Sequence, residues 1–177
     1  MRNVVLYQLL SLDGVAEEPG DWMFDVDARV FGNLATVIGS QDAVLLGRGT
    51  YDYWVDYWPT SEVEPFAGFI NSTTKHVVTS SRPATGWANT VLVDAPVADY
   101  VAGLKARDGG DIGIHGSISL AQSLLAAGLV DELRLVITPA LAGKGRKLFG
   151  YDDALRRLTL LDAQSSPGGH LFLHYRR

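Results

Sequence analysis

The chain has no cysteine. Disulfides, thiolate metal sites and a cysteine nucleophile are therefore excluded. It also lacks an apolar run long enough to span a bilayer, which takes roughly 20 residues. Positive charge is in deficit: 15 Lys+Arg against 20 Asp+Glu give a formal net charge of −5. That balance argues against a nucleic-acid partner, because affinity for a phosphate backbone rests on a surplus of Lys and Arg. The opening "MRNVVLYQLLSLDG" carries one Arg and a short apolar stretch, then Asp-Gly with no small-residue cleavage site, so it does not read as a signal peptide. With those signals missing, a cytoplasmic location and no membrane partner are expected. No repeat, low-complexity tract or linker interrupts the 177 residues, and a single domain over 1–177 is expected.

What is present is a patterned alternation of strands and helices. Buried strands are expected over 3–14, 42–47, 75–81, 90–94, 111–115 and 131–141. Val30, Phe31, Leu34, Val37 and Ile38 recur at helical spacing within a helix over 27–39, with Asp27 placed to cap it. Further helical stretches are expected over 49–59 (running into an aromatic loop), 64–71, 95–110 and 118–127. The chain closes as a hairpin, 155–166 and 169–177, across Pro167-Gly168-Gly169. Strands alternate with helices and then follow one another, which is the pattern of an α/β fold with a mainly parallel sheet and an antiparallel edge.

Ligands of open α/β sheets sit beyond the carboxyl ends of the strands, and three strand ends here carry unusual chemistry. "VLLGRGT" supplies Gly47 for close backbone approach, Arg48 as a bidentate donor for phosphate, and Thr50 near a helix start. "VVTSSR" gathers Thr79, Ser80, Ser81 and Arg82. "IHGSIS" places Gly116, Ser117, Ile118 and Ser119 where helix N–H groups point outward, the geometry that accepts pyrophosphate. Each has a bland alternative: a turn with a surface arginine, a solvated loop, and an ordinary serine-capped helix. All three fall at the ends of successive buried strands, which joins them into one hypothesis.

"SLDG" (11–14), "LLGRGTYD" (45–52), "HVVTSSR" (76–82) and "GSISLAQSLLAAGLVDELRLVITPALAGKGRKLF" (116–149) resemble, in that order, the dihydrofolate-reductase-like superfamily. Within it the chain resembles the reductase domain of the bifunctional riboflavin-biosynthesis deaminase/reductase and its stand-alone relatives, over nearly its whole length. The resemblance implies a three-layer fold, a mainly parallel central sheet with helices on both faces and a C-terminal antiparallel hairpin. It implies NADPH as cofactor and hydride transfer to a small pterin-like, pyrimidine-like or sugar-linked substrate. By likeness Gly47, Arg48 and Thr50 meet phosphates, Arg48 nearest the adenosine 2′-phosphate. Thr79, Ser80, Ser81 and Arg82 take the adenosine end. Gly116, Ser117, Ile118 and Ser119 cradle pyrophosphate, with His115 either touching the cofactor or merely closing its strand. A cis peptide at Gly116-Ser117 and a homodimer are further implications.

The substrate side matches less well. Asp13, Asp25 and Asp27 are candidates for proton delivery, though Asp13 also suits an Asp-Gly turn and Asp27 a helix cap. "VAEEPGDW" stands where the deaminase/reductase carries its substrate signature, and shows no cluster for a ribose phosphate. Trp22, Tyr51 and Trp54, with Tyr53, Tyr57 and Trp58, either wall a pocket for a flat ring or cover core and dimer surfaces. His170 and His174 share a strand face without a third ligand, so no metal is expected. The run "GKGRK" (143–147) either binds phosphate or stands as a solvated basic tip, the commoner role for such a hairpin tip. The rival readings are a nucleotide-binding module without turnover and a structural dimerisation protein.

Overall fold

The computed structural model describes residues 1–150 and 155–177. The elements run β1 (Val4–Ser11), α1 (Ala28–Ile38), β2 (Gln41–Gly47), α2 (Arg48–Trp54), α3 (Phe66–Ser72), β3 (Thr74–Val78), β4 (Thr90–Val93), α4 (Val97–Lys105), β5 (Asp111–His115), α5 (Ile118–Ala126), β6 (Glu132–Thr138), β7 (Thr159–Ser165) and β8 (Leu171–Arg176). The strands form one sheet in the order β4-β3-β2-β5-β1-β6-β8-β7. The first six are mutually parallel, and β8 pairs antiparallel with both β6 and β7.

Period-two alternation decides which helix meets which face. Leu6 and Leu10 of β1, Leu45 of β2 and Ile114 of β5 point one way and pack with Val101 and Leu104 of α4 and Leu120 and Leu124 of α5. Val5 and Tyr7 of β1 point the other way, towards Val30 and Val37 of α1. Val44 and Leu46 of β2 join that second face against Tyr51 of α2 and Phe66 and Ile70 of α3. Among the described residues no helix is long and apolar enough to cross a membrane.

Several elements are shorter than their hydrophobic patterns imply, because polar side chains close the turns early. β1 stops at Ser11 rather than at residue 14. The Ser11 hydroxyl accepts a hydrogen bond from Val15 N at 2.9 Å, and Gly14, at φ +85°, donates to Ser11 O at 2.9 Å. β3 ends at Val78, after which Thr79 Oγ1 donates to Ser81 O at 2.7 Å and folds the hydroxyl run into a loop. α2 begins at Arg48 and ends at Trp54, a short helix that runs into the aromatic stretch as expected. A separate 3-10 turn occupies Trp58–Thr60.

Asp27 fastens α1 in place. Its Oδ1 accepts from Arg29 N at 2.9 Å and Val30 N at 3.3 Å, while Oδ2 accepts from Gly168 N at 2.9 Å in the β7–β8 turn. Its pKa is lowered, first by the Ser166 hydroxyl and then by these backbone donors.

Candidate active site

β2, β3 and β5 end side by side, so their three following bends meet. Ser117, the residue before α5, holds φ +53° after Gly116 at φ +63°. Two left-handed residues in succession turn the chain sharply, at a cost of about 1–2 kcal/mol for the non-glycine one. They do so across a trans bond: the cis peptide among the described residues is Glu64-Pro65, not Gly116-Ser117. This corrects the expected cis corner, since the paired left-handed torsions already reverse the chain. The turn aims Ser117 Oγ at the neighbouring bend, where it accepts from Gly47 N at 2.9 Å.

Ser117 therefore does not cap its own helix: no side-chain cap bond forms at α5. The ordinary-capping alternative is set aside on that observation. The first-turn N–H groups of a helix have no intrahelical acceptor, and Ile118, Ser119 and Leu120 line the adjoining cleft.

The first and second bends are tied by Arg48. Its Nη1 donates to Ser81 Oγ at 2.8 Å and Ser81 O at 2.9 Å, with Thr79 Oγ1 at 3.4 Å. Its Nε is held by both Asp52 oxygens, at 2.7 and 2.8 Å. Gly47–Ser117 and Arg48–Ser81 thus stitch the three bends into one continuous surface.

Two clefts open on it. The larger, about 760 Å³, runs from Gly47, Arg48 and Thr50 past His115, Gly116 and Ser119 to an aromatic wall. The smaller, about 630 Å³, lies outside Arg48 and is lined by Thr79, Ser80, Ser81 and Asp94. Arg82 lines neither cleft; it follows the loop outward and is exposed.

The aromatic wall is built by edge-to-face contacts, the favoured geometry for ring pairs. Trp54 meets Phe66 at 5.5 Å and Trp58 at 5.9 Å between centroids, and Trp58 meets Phe66 at 4.8 Å. Tyr53 and Tyr57 join the lining. Two expected wall residues do not. Tyr51 faces the core at 1% exposure with its hydroxyl donating to Thr85 O at 3.1 Å. Trp22 is likewise buried, its indole N–H donating to Glu17 O at 2.9 Å. Both are amphipathic rings whose polar tip found a backbone partner inside the fold.

The three aspartates also stand outside the cleft lining. Asp13 accepts from Ser11 Oγ at 2.6 Å, Ala142 N at 2.9 Å and Gly143 N at 2.9 Å. Those bonds, the Ser11 hydroxyl first, pull its pKa down to about 2. Such a carboxylate is a staple for the 139–145 loop and a poor proton donor. Asp25 is exposed at φ +54°, and Asp27 is the α1 cap.

Arg146, from the "GKGRK" run, and several residues not singled out from the sequence complete the cleft. Arg146 Nη2 donates to Ser119 Oγ at 2.7 Å, bringing a guanidinium to the start of α5. It is drawn there because Ala16 N donates to Arg146 O at 2.9 Å and Glu17 Oε2 accepts from Arg146 N at 3.1 Å. Local sequence leaves "GKGRK" between phosphate binding and a solvated tip, because pairing across some 130 residues leaves no local signal. Tyr7, Gln8, Glu64 and Phe66 are the other additions. His170 and His174 are apart in role: His170 is fully buried beside Thr138, while His174 Nε2 meets Glu132 Oε2 at 2.7 Å. Among the described residues no three ligating side chains cluster for a metal.

His115 pairs with Tyr7 across β5 and β1 and shares Nε2 with Gln41 Oε1 at 2.8 Å. Burial pulls its pKa from 6.5 to about 3, so the ring is neutral. The folded state then refuses a proton that the unfolded chain takes up below its ordinary pKa. Stability is full above about pH 6.5 and falls by up to ~1.4 kcal/mol per pH unit towards pH 3. Urea unfolding at pH 7 and pH 5 is expected to show this loss, reduced in His115→Gln. An equal slope in the variant would assign the loss to other groups.

The sequence profile of the RibD C-terminal domain family matches residues 2–172. The chain belongs to that family, and the dihydrofolate-reductase-like three-layer fold follows. Reductase-type oxidoreductase is the class of protein that membership defines. The chain is 28% identical over 156 residues to the uncharacterized protein YyaP of Bacillus subtilis, covering 84% of this chain and 80% of that one. Its fold is similar to that of a pyrimidine reductase-like protein from Corynebacterium diphtheriae, with a TM-score of 0.70 at 21% identity, covering 99% and 91% of the two chains. It is also similar to the Thermotoga maritima diaminohydroxyphosphoribosylaminopyrimidine deaminase/5-amino-6-(5-phosphoribosylamino)uracil reductase, with a TM-score of 0.70 at 18% identity, covering 99% of this chain and 56% of that one.

Proposed function

We propose that the protein is an NADPH-dependent reductase acting on a small heterocyclic, pterin- or pyrimidine-like, or sugar-linked substrate. The observation that carries this reading is the stitching of three strand ends by Gly47–Ser117 and Arg48–Ser81. It puts a guanidinium, two hydroxyls and an uncapped helix start along two adjoining clefts that share Arg48, the donor set a dinucleotide's phosphates require. A nicotinamide cofactor, when bound, supplies hydride. The chain's own residues bind and orient. Arg48, Ser80 and Ser81 take the adenosine phosphate, with Thr79 holding their loop. Gly116 to Ser119 and Arg146 take the pyrophosphate, and the aromatic wall excludes water above the reacting carbon. Asp13, Asp25 and Asp27 lie away from the cleft and do not deliver the balancing proton; Glu17, Glu18 and Glu64 are the acids that line it.

Titration of NADPH and NADH, read by protein fluorescence, tests this. NADPH binds the tighter. Arg48→Gln is expected to raise the NADPH Kd by about 10- to 100-fold, the loss of a charge-assisted bond, with NADH little affected. Equal loss for both would remove Arg48 from the extra phosphate. The displaced aspartates favour one second reading, a nucleotide-binding module without turnover. Tight NADPH binding with no loss of its absorbance on any dihydropterin or pyrimidine substrate would select that reading.

A homodimer is also proposed, through β7. Every residue of this edge strand is exposed, including Leu160 at 51% and Leu161 at 42%. An unpaired apolar edge is a liability that proteins cover. Leu161→Lys is expected to shift the sedimenting species from dimer to monomer; an unchanged dimer would move the interface elsewhere.

A further inference from the structure

The smaller cleft carries a group that the phosphate reading leaves unused. Its lining runs from Arg48 and the hydroxyl loop at 79–81 to Asp94, the residue that follows β4. Arg48 is the cation of that lining and Asp94 its carboxylate. Arg48 is already engaged: both Asp52 oxygens hold its Nε, at 2.7 and 2.8 Å, and its Nη1 donates to Ser81. Asp94 is exposed and, among the described residues, accepts no hydrogen bond and joins no ion pair. It has neither the helix-capping work of Asp27 nor the loop-stapling work of Asp13.

Charge decides what such a carboxylate does there. Arg48 and Asp52 cancel, and Arg82 stands outside the lining, so Asp94 leaves the cleft with a net negative charge. The two nicotinamide cofactors differ at the adenosine ribose, which bears a 2′-hydroxyl in one and a 2′-phosphate in the other. The hydroxyl donates to a carboxylate; the phosphate, with nearly two negative charges, is repelled by it. Dinucleotide sites of α/β sheets meet the hydroxyl with an acidic residue or the phosphate with an arginine. This cleft holds one of each.

We infer that Asp94 is a specificity-determining residue that narrows the lead of NADPH over NADH. It accepts from the ribose hydroxyl of NADH and opposes the extra phosphate of NADPH. The inference rests on the reductase reading and adds to it a side chain whose loss strengthens binding of the proposed cofactor.

NADPH and NADH are titrated against the parent and Asp94→Asn by protein fluorescence, with a thermal melt to check folding. The variant is expected to bind NADPH about tenfold more tightly, because one like charge leaves the phosphate's side. Its NADH affinity is expected to fall about threefold, because the amide still accepts but without charge assistance. At 1 M salt, where the Debye length is about 3 Å, the gain for NADPH is expected to shrink towards none. An unchanged NADPH-to-NADH ratio in the variant overturns the inference, whether neither affinity moves or both fall together, as they would for a carboxylate on the shared adenine. A gain undiminished by salt also overturns it. If neither nucleotide binds the parent, the reductase reading falls and this inference with it; binding of both with an unaltered ratio sinks the inference alone.

Discussion

Gly113→Ala is expected to lower the unfolding free energy by about 2–5 kcal/mol, more than any surface change in this chain. β5 lies between β2 and β1 in the sheet, and Gly113 pairs with Val5 and Val44. The Gln41 amide lies across the bare Cα to reach His115. A Cβ there would stand 2.7 Å from Gln41 Cδ and 2.8 Å from His115 Nε2. Neither neighbour has an easy escape, because both are buried and Gln41 Nε2 already lacks a partner. Overpacking costs about 1–3 kcal/mol, and a buried imidazole deprived of its partner about as much again. Urea unfolding at pH 7 measures the sum. A variant within ~0.5 kcal/mol of the parent would show that the pair yields without cost.

The second large effect is on binding. Gly116→Val is expected to raise the Kd for NADPH by more than about 100-fold while leaving a folded protein. Gly116 sits at φ +63°, which an L side chain adopts at a cost of ~1–2 kcal/mol and a β-branched one less readily still. The first added carbon would touch Trp54 Cζ2 at 3.4 Å and Thr50 Cγ2 at 3.5 Å, filling the space between the bends. If the backbone relaxes to negative φ instead, Ser117 swings away from Gly47 N and the stitch is lost. NADPH titration beside a thermal melt separates the two costs. Unimpaired affinity would remove the Gly116 corner from the cofactor path.

Much of the architecture is legible in sequence because burial has a period. β1 is apolar on both faces, Val5 and Tyr7 against Leu6 and Leu10, so it reads as a buried strand; which helices cover which side is set by the fold. The Gly-Arg, hydroxyl and Gly-Ser bends are legible for the same reason: each directly follows a buried strand. What period cannot tell is where an aromatic's polar tip goes. Tyr51 and Tyr53 are two residues apart on a short helix; one enters the core and binds Thr85 O, the other lines the cleft. Nor can it tell that Asp13 is claimed by backbone donors at Ala142 and Gly143, or that Arg146 returns to Ser119. Those bonds join loops remote in sequence, and residue type alone leaves Asp13 between proton donor and turn residue and Arg146 between phosphate ligand and solvated tip.

The central claim is that three neighbouring bends form one dinucleotide seat. A crystal structure of the protein soaked with NADPH tests it most directly. The account predicts the pyrophosphate at the start of α5, beside Gly116 to Ser119, and the adenosine phosphate against Arg48 and Ser81. A nucleotide found on another surface, or a seat that stays empty at saturating NADPH, would contradict it.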